Sequence, residues 1–393
     1  MGDPFEDLDL RRLRERRSAK WSRHPPDVLP AWVAEMDFPI AEPVRAALLA
    51  AVERDDCGYM SPAGLPAAFA RFAAERYGWP VDPAAVSIVP DVMAGVAEVL
   101  RRATAPGDPV VINPPVYPPF RSVIQEVERT VAEVPLARDG PGWVLDLDRL
   151  ERAFAAGARA YLLCNPHNPT GTVARPEELE RIGELADRYG VVVLADEIHA
   201  PLVLTGARHT PFGGLRAPLV GRSVTLTSAS KAWNVAGLKC AVAVAPEPPM
   251  RALIAGLPEE VRYRAGHLGV LAAIAAFEDG GEWLDGLLAH LDRQRHRLTD
   301  LLRRELPEVG YAPPQAGYLA WLDCRALPLG VDPAAAFLER GRVALSPGPD
   351  FGREGAGFAR LNLGTSAALL AEAVRRMARA VSSEGAADAG SCP

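Results

Sequence analysis

The stretch Ser228–Lys239, SASKAWNVAGLK, sets a lysine in a small-residue turn directly after the β-branched run SVTLTS. Lys231 is followed by Trp233 and an apolar segment, so its amine is expected to be partly withdrawn from water. A desolvated lysine loses its proton more easily and can attack a carbonyl to form a Schiff base. Taken alone, a lysine more commonly snorkels out of such a turn into solvent. Two other charged residues keep similarly apolar company. Asp196 ends the run VVVLAD, where a carboxylate is costly unless paired. Arg360 lies in GFARLNLG. In a strand it shares one face with Phe358 and Asn362, while Ala359, Leu361 and Leu363 take the other. An arginine so placed calls for an anion, and a structural ion pair would supply one.

Something must hold these groups together. The runs PVVINPP, ARAYLLCNP, VVVLADE, SVTLTS and CAVAVA read as strands, most of them apolar on both faces. Helical patterns separate several of them. PEELERIGELADRYG is opened by Pro176, carries Glu177 and Glu178 in its first turn and closes at Gly190. The pattern predicts an α/β fold with a mostly parallel sheet, which binds ligands beyond the carboxyl ends of its strands. Asn165, Asp196 and Ser228 all stand at such ends. From about residue 281 a long helical stretch, the strands AGYLAWLDC and GFARLNLG and a last helix predict a smaller α+β domain. The expected division is a large domain over 41–280, a small domain over 1–40 and 281–382, and a disordered tail over 383–393.

The bulk composition narrows the function classes. A chain of 393 residues with 49% hydrophobic and 24% charged residues is a globular protein too long for one ordinary core. A net charge of −7 argues against nucleic acid as a partner, and the RRLRERR run reads as a solvated helix face. The 5 cysteines fit no zinc or redox spacing and are expected as free thiols in a reducing cytoplasm. No apolar run is long enough to span a bilayer, and MGDPFEDLDL lacks the apolar core of a signal peptide, so a cytoplasmic location is expected.

CNPHNPTG, ADEIH, SASKAWN and GFARLN follow one another in the order found in fold-type I pyridoxal-phosphate enzymes, which this chain resembles. With AWVAEMDFP, GYMSP and PVYPPF added, it is similar to the MalY/PatB branch, the cystathionine β-lyase-type C–S lyases. The likeness runs from about Trp32 to the last helix. Each motif alone is weak, since NP.TG is also an ordinary turn; the order and the strand-end placement carry the resemblance.

The resemblance implies pyridoxal 5′-phosphate as cofactor and assigns roles. Lys231 carries the cofactor and, once freed, takes the α-proton of the substrate. Asp196 pairs with the pyridinium N–H. Asn168 reaches the ring's 3′-oxygen, although alone it would read as a turn asparagine. His199, three residues after Asp196, either contacts the cofactor or supports the site from behind. Tyr117 stacks on the ring or is a core tyrosine. The backbone N–H groups of Val92 and Met93, at a helix start, bind the phosphate together with Ser228 and Lys239. Tyr59 reaches the phosphate of a partner subunit, which implies a homodimer with a shared site. Arg360 takes the α-carboxylate of a small amino-acid substrate, with Asn168 and Tyr117 beside it.

The sequence departs from the branch in places. Asp91 stands where relatives usually have glycine, and is expected to cap the helix and turn away from the phosphate. Pro118 replaces a second aromatic, and Ala316-Gly317-Tyr318 replaces Gly-Thr-Tyr. These changes bear on the side-chain pocket. The expected activity is β-elimination on a cysteine S-conjugate, cystathionine-like or a bulkier thioether, giving thiol, pyruvate and ammonia. Transamination, decarboxylation or deamination on the same scaffold, and a regulatory protein of the same fold, are the alternatives.

Overall fold

Unbroken burial in the central runs makes them strands covered on both sides. The structure, a computed structural model, describes residues 3–62 and 64–388, with side chains to residue 382. Its main sheet has seven strands in the order Val86–Val89, Ala241–Val244, Ser223–Thr227, Val192–Asp196, Ala160–Cys164, Pro109–Ile112, Thr130–Glu133. Every pairing is parallel except the two made by Ala241–Val244. Leu162, Leu194 and Val224 enter one apolar cluster, and Tyr161, Leu163 and Val193 the other, on the opposite face. The period-two alternation thus feeds two cores at once.

Register sets the carboxyl edge. Cys164 pairs with Asp196, and Asp196 with Leu226, so Asn165, Asp196 and Ser228 leave the sheet side by side. The helix Pro176–Tyr189 has its predicted bounds, with Gly190 left-handed at its end (φ 71°).

A second sheet is antiparallel, in the order Gly310–Tyr311, Leu319–Asp323, Phe358–Asn362, Ser346–Pro347. The N-terminal segment is fastened to it. Leu29–Pro30 pairs with Val343–Ala344, and Asn362 N donates to Ala31 O at 2.8 Å. Buried Lys20 meets Asp37 at 2.7 Å, and Trp21 Nε1 donates to the same carboxylate at 3.0 Å.

The C-terminus corrects one expectation. The last helix runs Ala367–Asp388, so residues 383–388 of the expected disordered tail are helical. The reason is that extending a helix adds one hydrogen bond per residue fixed, and alanine opposes it least. Residues 389–393, with Cys392, lie outside the described residues. Of the other cysteines, Cys57 is exposed and Cys164, Cys240 and Cys324 are buried; all four are free thiols. Among the described residues no helix is long and apolar enough to cross a membrane.

Candidate active site

The turn after Ser223–Thr227 is anchored by its two bulky members. Trp233 is fully buried, edge-on to Phe72 and Phe277, and its Nε1 donates to Gly280 O at 3.1 Å. Asn234 takes the left-handed conformation that asparagine tolerates (φ 58°). Its side chain clamps Met36, accepting from Met36 N and donating to Met36 O, both at 2.9 Å. That clamp brings the segment Ala34–Met36 over Lys231, whose Nζ donates to Ala34 O at 3.1 Å. Tyr318 Oη donates to the same carbonyl at 3.0 Å.

The chain has three lysines, Lys20, Lys231 and Lys239. Lys20 is bound to Asp37 and Lys239 to Asp91, at 2.7 and 3.1 Å. Lys231 alone has no carboxylate within ion-pair distance among the described residues. It keeps a partial opening to solvent, yet burial of its amine, with Arg360 adding like charge, lowers its pKa to about 8.

Asp196 is buried, and the hydrogen bond to its carboxylate comes from Ile198 N at 3.1 Å. Burial raises its pKa to about 7, against the opposing pull of Ile198 N–H and Lys231. No arginine or lysine pairs with it within ion-pair distance among the described residues, so it is a carboxylate awaiting a cation. The neighbouring Glu197 is already occupied, accepting from Phe212 N at 2.7 Å and meeting His209 at 3.0 Å.

Arg360 is the matching case of opposite sign. Its Nη1 donates to Asn168 Oδ1 at 2.9 Å, and its Nη2 to Trp32 O and Ser346 Oγ, each at 3.0 Å. Phe351 lies under it at 4.9 Å, and Nε has no partner. Among the described residues this buried guanidinium rests on neutral groups alone. Burial lowers its pKa to about 10.

His199 is buried, with Nδ1 unpartnered and its ring 6.3 Å from that of Tyr318. Burial, then the charges of Lys231 and Arg360, push its pKa down to about 3, so it is neutral. A Cβ on Gly317, which is left-handed (φ 82°), would sit 3.8 Å from His199 Nδ1 and meet nothing else within 4 Å. Tyr117 is half-buried. Its phenol pKa is raised first by burial, then by Asp196, and Arg360 acts against that rise, so the ring lies within reach of both charges.

The helix Val92–Ala103 begins as expected, and Asp91 caps it by accepting from Ala94 N at 2.8 Å. Its other oxygen holds Lys239 at 3.1 Å, so the carboxylate does not simply turn away. Ser228 is engaged with the backbone. Its hydroxyl donates to Cys240 O at 2.6 Å and accepts from Ser230 N at 3.0 Å. A hydroxyl has one proton, and here the backbone takes it. Tyr59 stands apart, 88% exposed, with its ring against Tyr263.

The site therefore joins Lys231, Asp196, Asn168, His199, Tyr117 and Arg360, and adds partners the sequence reading did not single out. These are the carbonyls of Trp32 and Ala34 and the hydroxyl of Ser346; the phenol of Tyr318, named from the sequence only as part of a departure from the branch, joins them. AWVAEMDFP was visible as a motif, but backbone carbonyls have no residue-type signature.

The aminotransferase class I and II family model matches residues 33–377. The chain belongs to that family. Within it, cystathionine beta-lyase PatB of Bacillus subtilis is 36% identical over 91% of this chain and 93% of its own. Cystathionine beta-lyase of Corynebacterium glutamicum is 37% identical over 94% and 98%. Among solved structures, cystalysin from Treponema denticola, which contains pyridoxal 5′-phosphate, superposes with a TM-score of 0.90 at 26% identity, covering 98% of this chain and 100% of that one. The mostly parallel central sheet with its helices makes the chain an α/β protein.

Proposed function

We propose that this chain is a pyridoxal-phosphate-dependent C–S β-lyase that cleaves a cysteine S-conjugate to thiol, pyruvate and ammonium with uptake of water. The observation that carries the reading is the set of three charged groups, Lys231, Asp196 and Arg360, none ion-paired within bonding distance among the described residues. Structural charges are normally paired when withdrawn from water. The near-full-length likeness to cystathionine beta-lyases supports elimination as the reaction.

The residues present fit the cofactor. Lys231 offers an amine of lowered pKa, Asp196 an unpaired carboxylate for a ring N–H, and Tyr117 a face for stacking. Val92 N and Met93 N, at the start of a helix, would take the phosphate, with Lys239, now paired with Asp91, beside them. Bound there, pyridoxal phosphate supplies an electron sink for the pair left when the substrate's Cα–H bond breaks.

The chain's own groups do the rest. Arg360 binds the α-carboxylate, with Asn168, Ser346 and the Trp32 carbonyl holding the guanidinium in plane. That places Cα near the Lys231 amine, which takes the proton. Asp196 stays ionised beside a cation and so keeps positive charge at the far end of the ring. His199, neutral, adds no charge beside the carboxylate subsite. A thiolate then leaves from Cβ.

We further infer that two copies share the site. Exposed Tyr59 and Tyr263, with Leu49 and Val52 exposed as well, offer apolar surface to a second chain, from which Tyr59 reaches the neighbour's phosphate. Residues 41–280 form the cofactor-binding part and 1–40 with 281–382 the part that brings Arg360 to it.

The deciding experiment is turnover of an S-alkyl cysteine with no keto acid present. Sustained release of thiol and pyruvate is expected. A single half-turnover that restarts only when a keto acid is added would make the protein an aminotransferase.

A further inference from the structure

Outside the residues proposed for the reaction, a cavity of about 460 Å³ opens between the loop after Cys164, the hairpin bearing Trp143 and the antiparallel sheet. Its walls are flat and aromatic. Trp321 stacks on Phe358, with centroids 5.2 Å apart and planes 9° from parallel, and Trp143 meets Phe358 at 6.0 Å.

Two hydrogen-bond donors in this lining are unspent. Asn165 Nδ2 and Trp321 Nε1 are both buried, and neither has a partner among the described residues. The amide's orientation is fixed, because Asn165 Oδ1 accepts from Ala174 N at 3.0 Å and a flip would lose that bond. Of the three carboxylates in the lining, Asp139 is exposed beside Arg138, and the other two are already answered. Glu178 accepts from Arg175 N at 2.7 Å, and Asp323 from Arg325 Nη2 at 2.6 Å. Arg138 lies over the Trp143 ring at 4.7 Å, and its one hydrogen bond among the described residues is a long 3.5 Å contact to Gly140 O. What Asn165 Nδ2 and Trp321 Nε1 lack is an acceptor, and buried donors left unmet are costly.

We propose that this cavity is a second ligand site, for a flat aromatic carboxylate whose ring lies against Trp321 and Phe358 and whose oxygens meet Asn165 Nδ2, Trp321 Nε1 and Arg138. Such a ligand ties together the two elements that meet in the active site. Asn165 opens the loop that carries Asn168, and Trp321 is the cross-strand partner of Arg360. Occupancy therefore biases the Asn168–Arg360 contact and appears in the KM for the amino acid more than in kcat. Binding at the cavity is independent of the lyase reading; the KM effect rests on it.

The test is calorimetric titration of the cofactor-loaded protein with benzoate, indole-3-carboxylate and quinoline-2-carboxylate, with cyclohexanecarboxylate as the non-aromatic control. Saturable binding is expected for at least one aromatic acid, surviving saturation with L-alanine, which fills the Arg360 site. Trp321→Phe keeps the ring and removes the donor, and should weaken binding about tenfold. Ala312→Trp fills the cavity from its wall and should abolish binding, which keeps the test sound where Trp321→Phe folds poorly. The proposal is overturned by no saturable binding, by displacement with L-alanine, or by affinity that neither variant changes. With the cavity filled, an unmoved KM would overturn the coupling.

Discussion

Arg360 Nη1 donates to Asn168 Oδ1 at 2.9 Å, joining residues 192 positions apart in the chain. One sits in the loop after a parallel strand and the other in an antiparallel strand, so the bond spans the two sheets at the candidate substrate site. Lysine at 360 would keep the charge but lose the planar fork. Arg360→Lys should raise KM by about tenfold to a hundredfold, equivalent to about 1.5–3 kcal/mol for one charge-assisted hydrogen bond, with a smaller change in kcat. Steady-state kinetics on an S-alkyl cysteine checks this; an unchanged KM would remove Arg360 from substrate binding.

The buried carboxylate of Asp196 makes the cofactor-free protein pH-sensitive. Its pKa is raised from 3.8 to about 7 on folding. Between those values the folded chain holds a proton that the unfolded chain has lost. Stability from this group therefore falls as pH rises from 3.8 to about 7, and the loss is complete above that window. Thermal unfolding of the cofactor-free protein should show this fall, and Asp196→Asn should flatten it. Cofactor loading should flatten it too, by giving the carboxylate a cation. Identical pH profiles for the wild type and Asp196→Asn would count against the buried, unpaired state.

Lys231 is expected to be the lysine that borohydride fixes to the cofactor in the loaded protein. Peptide mass spectrometry separates it from Lys20 by the intervening arginines, and from Lys239 by fragment ions, because no arginine lies between Lys231 and Lys239. Modification at Lys239 instead would move the site to the exposed pair with Asp91. Lys231→Ala should lose both attachment and α-proton exchange.

Asp91 holds Lys239 while capping the helix. Asp91→Asn keeps an oxygen for the cap and releases the lysine towards the phosphate. Cofactor should then dissociate more slowly by a factor of about 2–5, the range of an exposed ion pair. Faster dissociation would show that Asp91 orders Lys239 for its task.

Tyr59 should matter only in the assembled protein. Tyr59→Phe is expected to weaken cofactor retention by about 1.5–3 kcal/mol, a charge-assisted hydrogen bond, without altering the dimer seen in sedimentation. A fully active monomer would rule out a shared site.

Much of this was legible in the sequence because it is local. Strand and helix periodicities placed Asn165, Asp196 and Ser228 on one edge, and register brought them level. A lysine before tryptophan, a carboxylate after VVVLA and an arginine among apolar residues each announce a charge withdrawn from water. The edge strand Val86–Val89 and the hairpin Ala137–Val144 were missed, being too short and mixed to show a period. The tertiary structure alone decided who meets whom. The Ala34 carbonyl comes to Lys231, the Trp32 carbonyl and Ser346 come to Arg360, and the Cys240 carbonyl accepts a hydrogen bond from Ser228. Sequence pattern records which side chains leave water, since that depends on residue type. It does not record which backbone oxygen receives them, since every residue carries the same one.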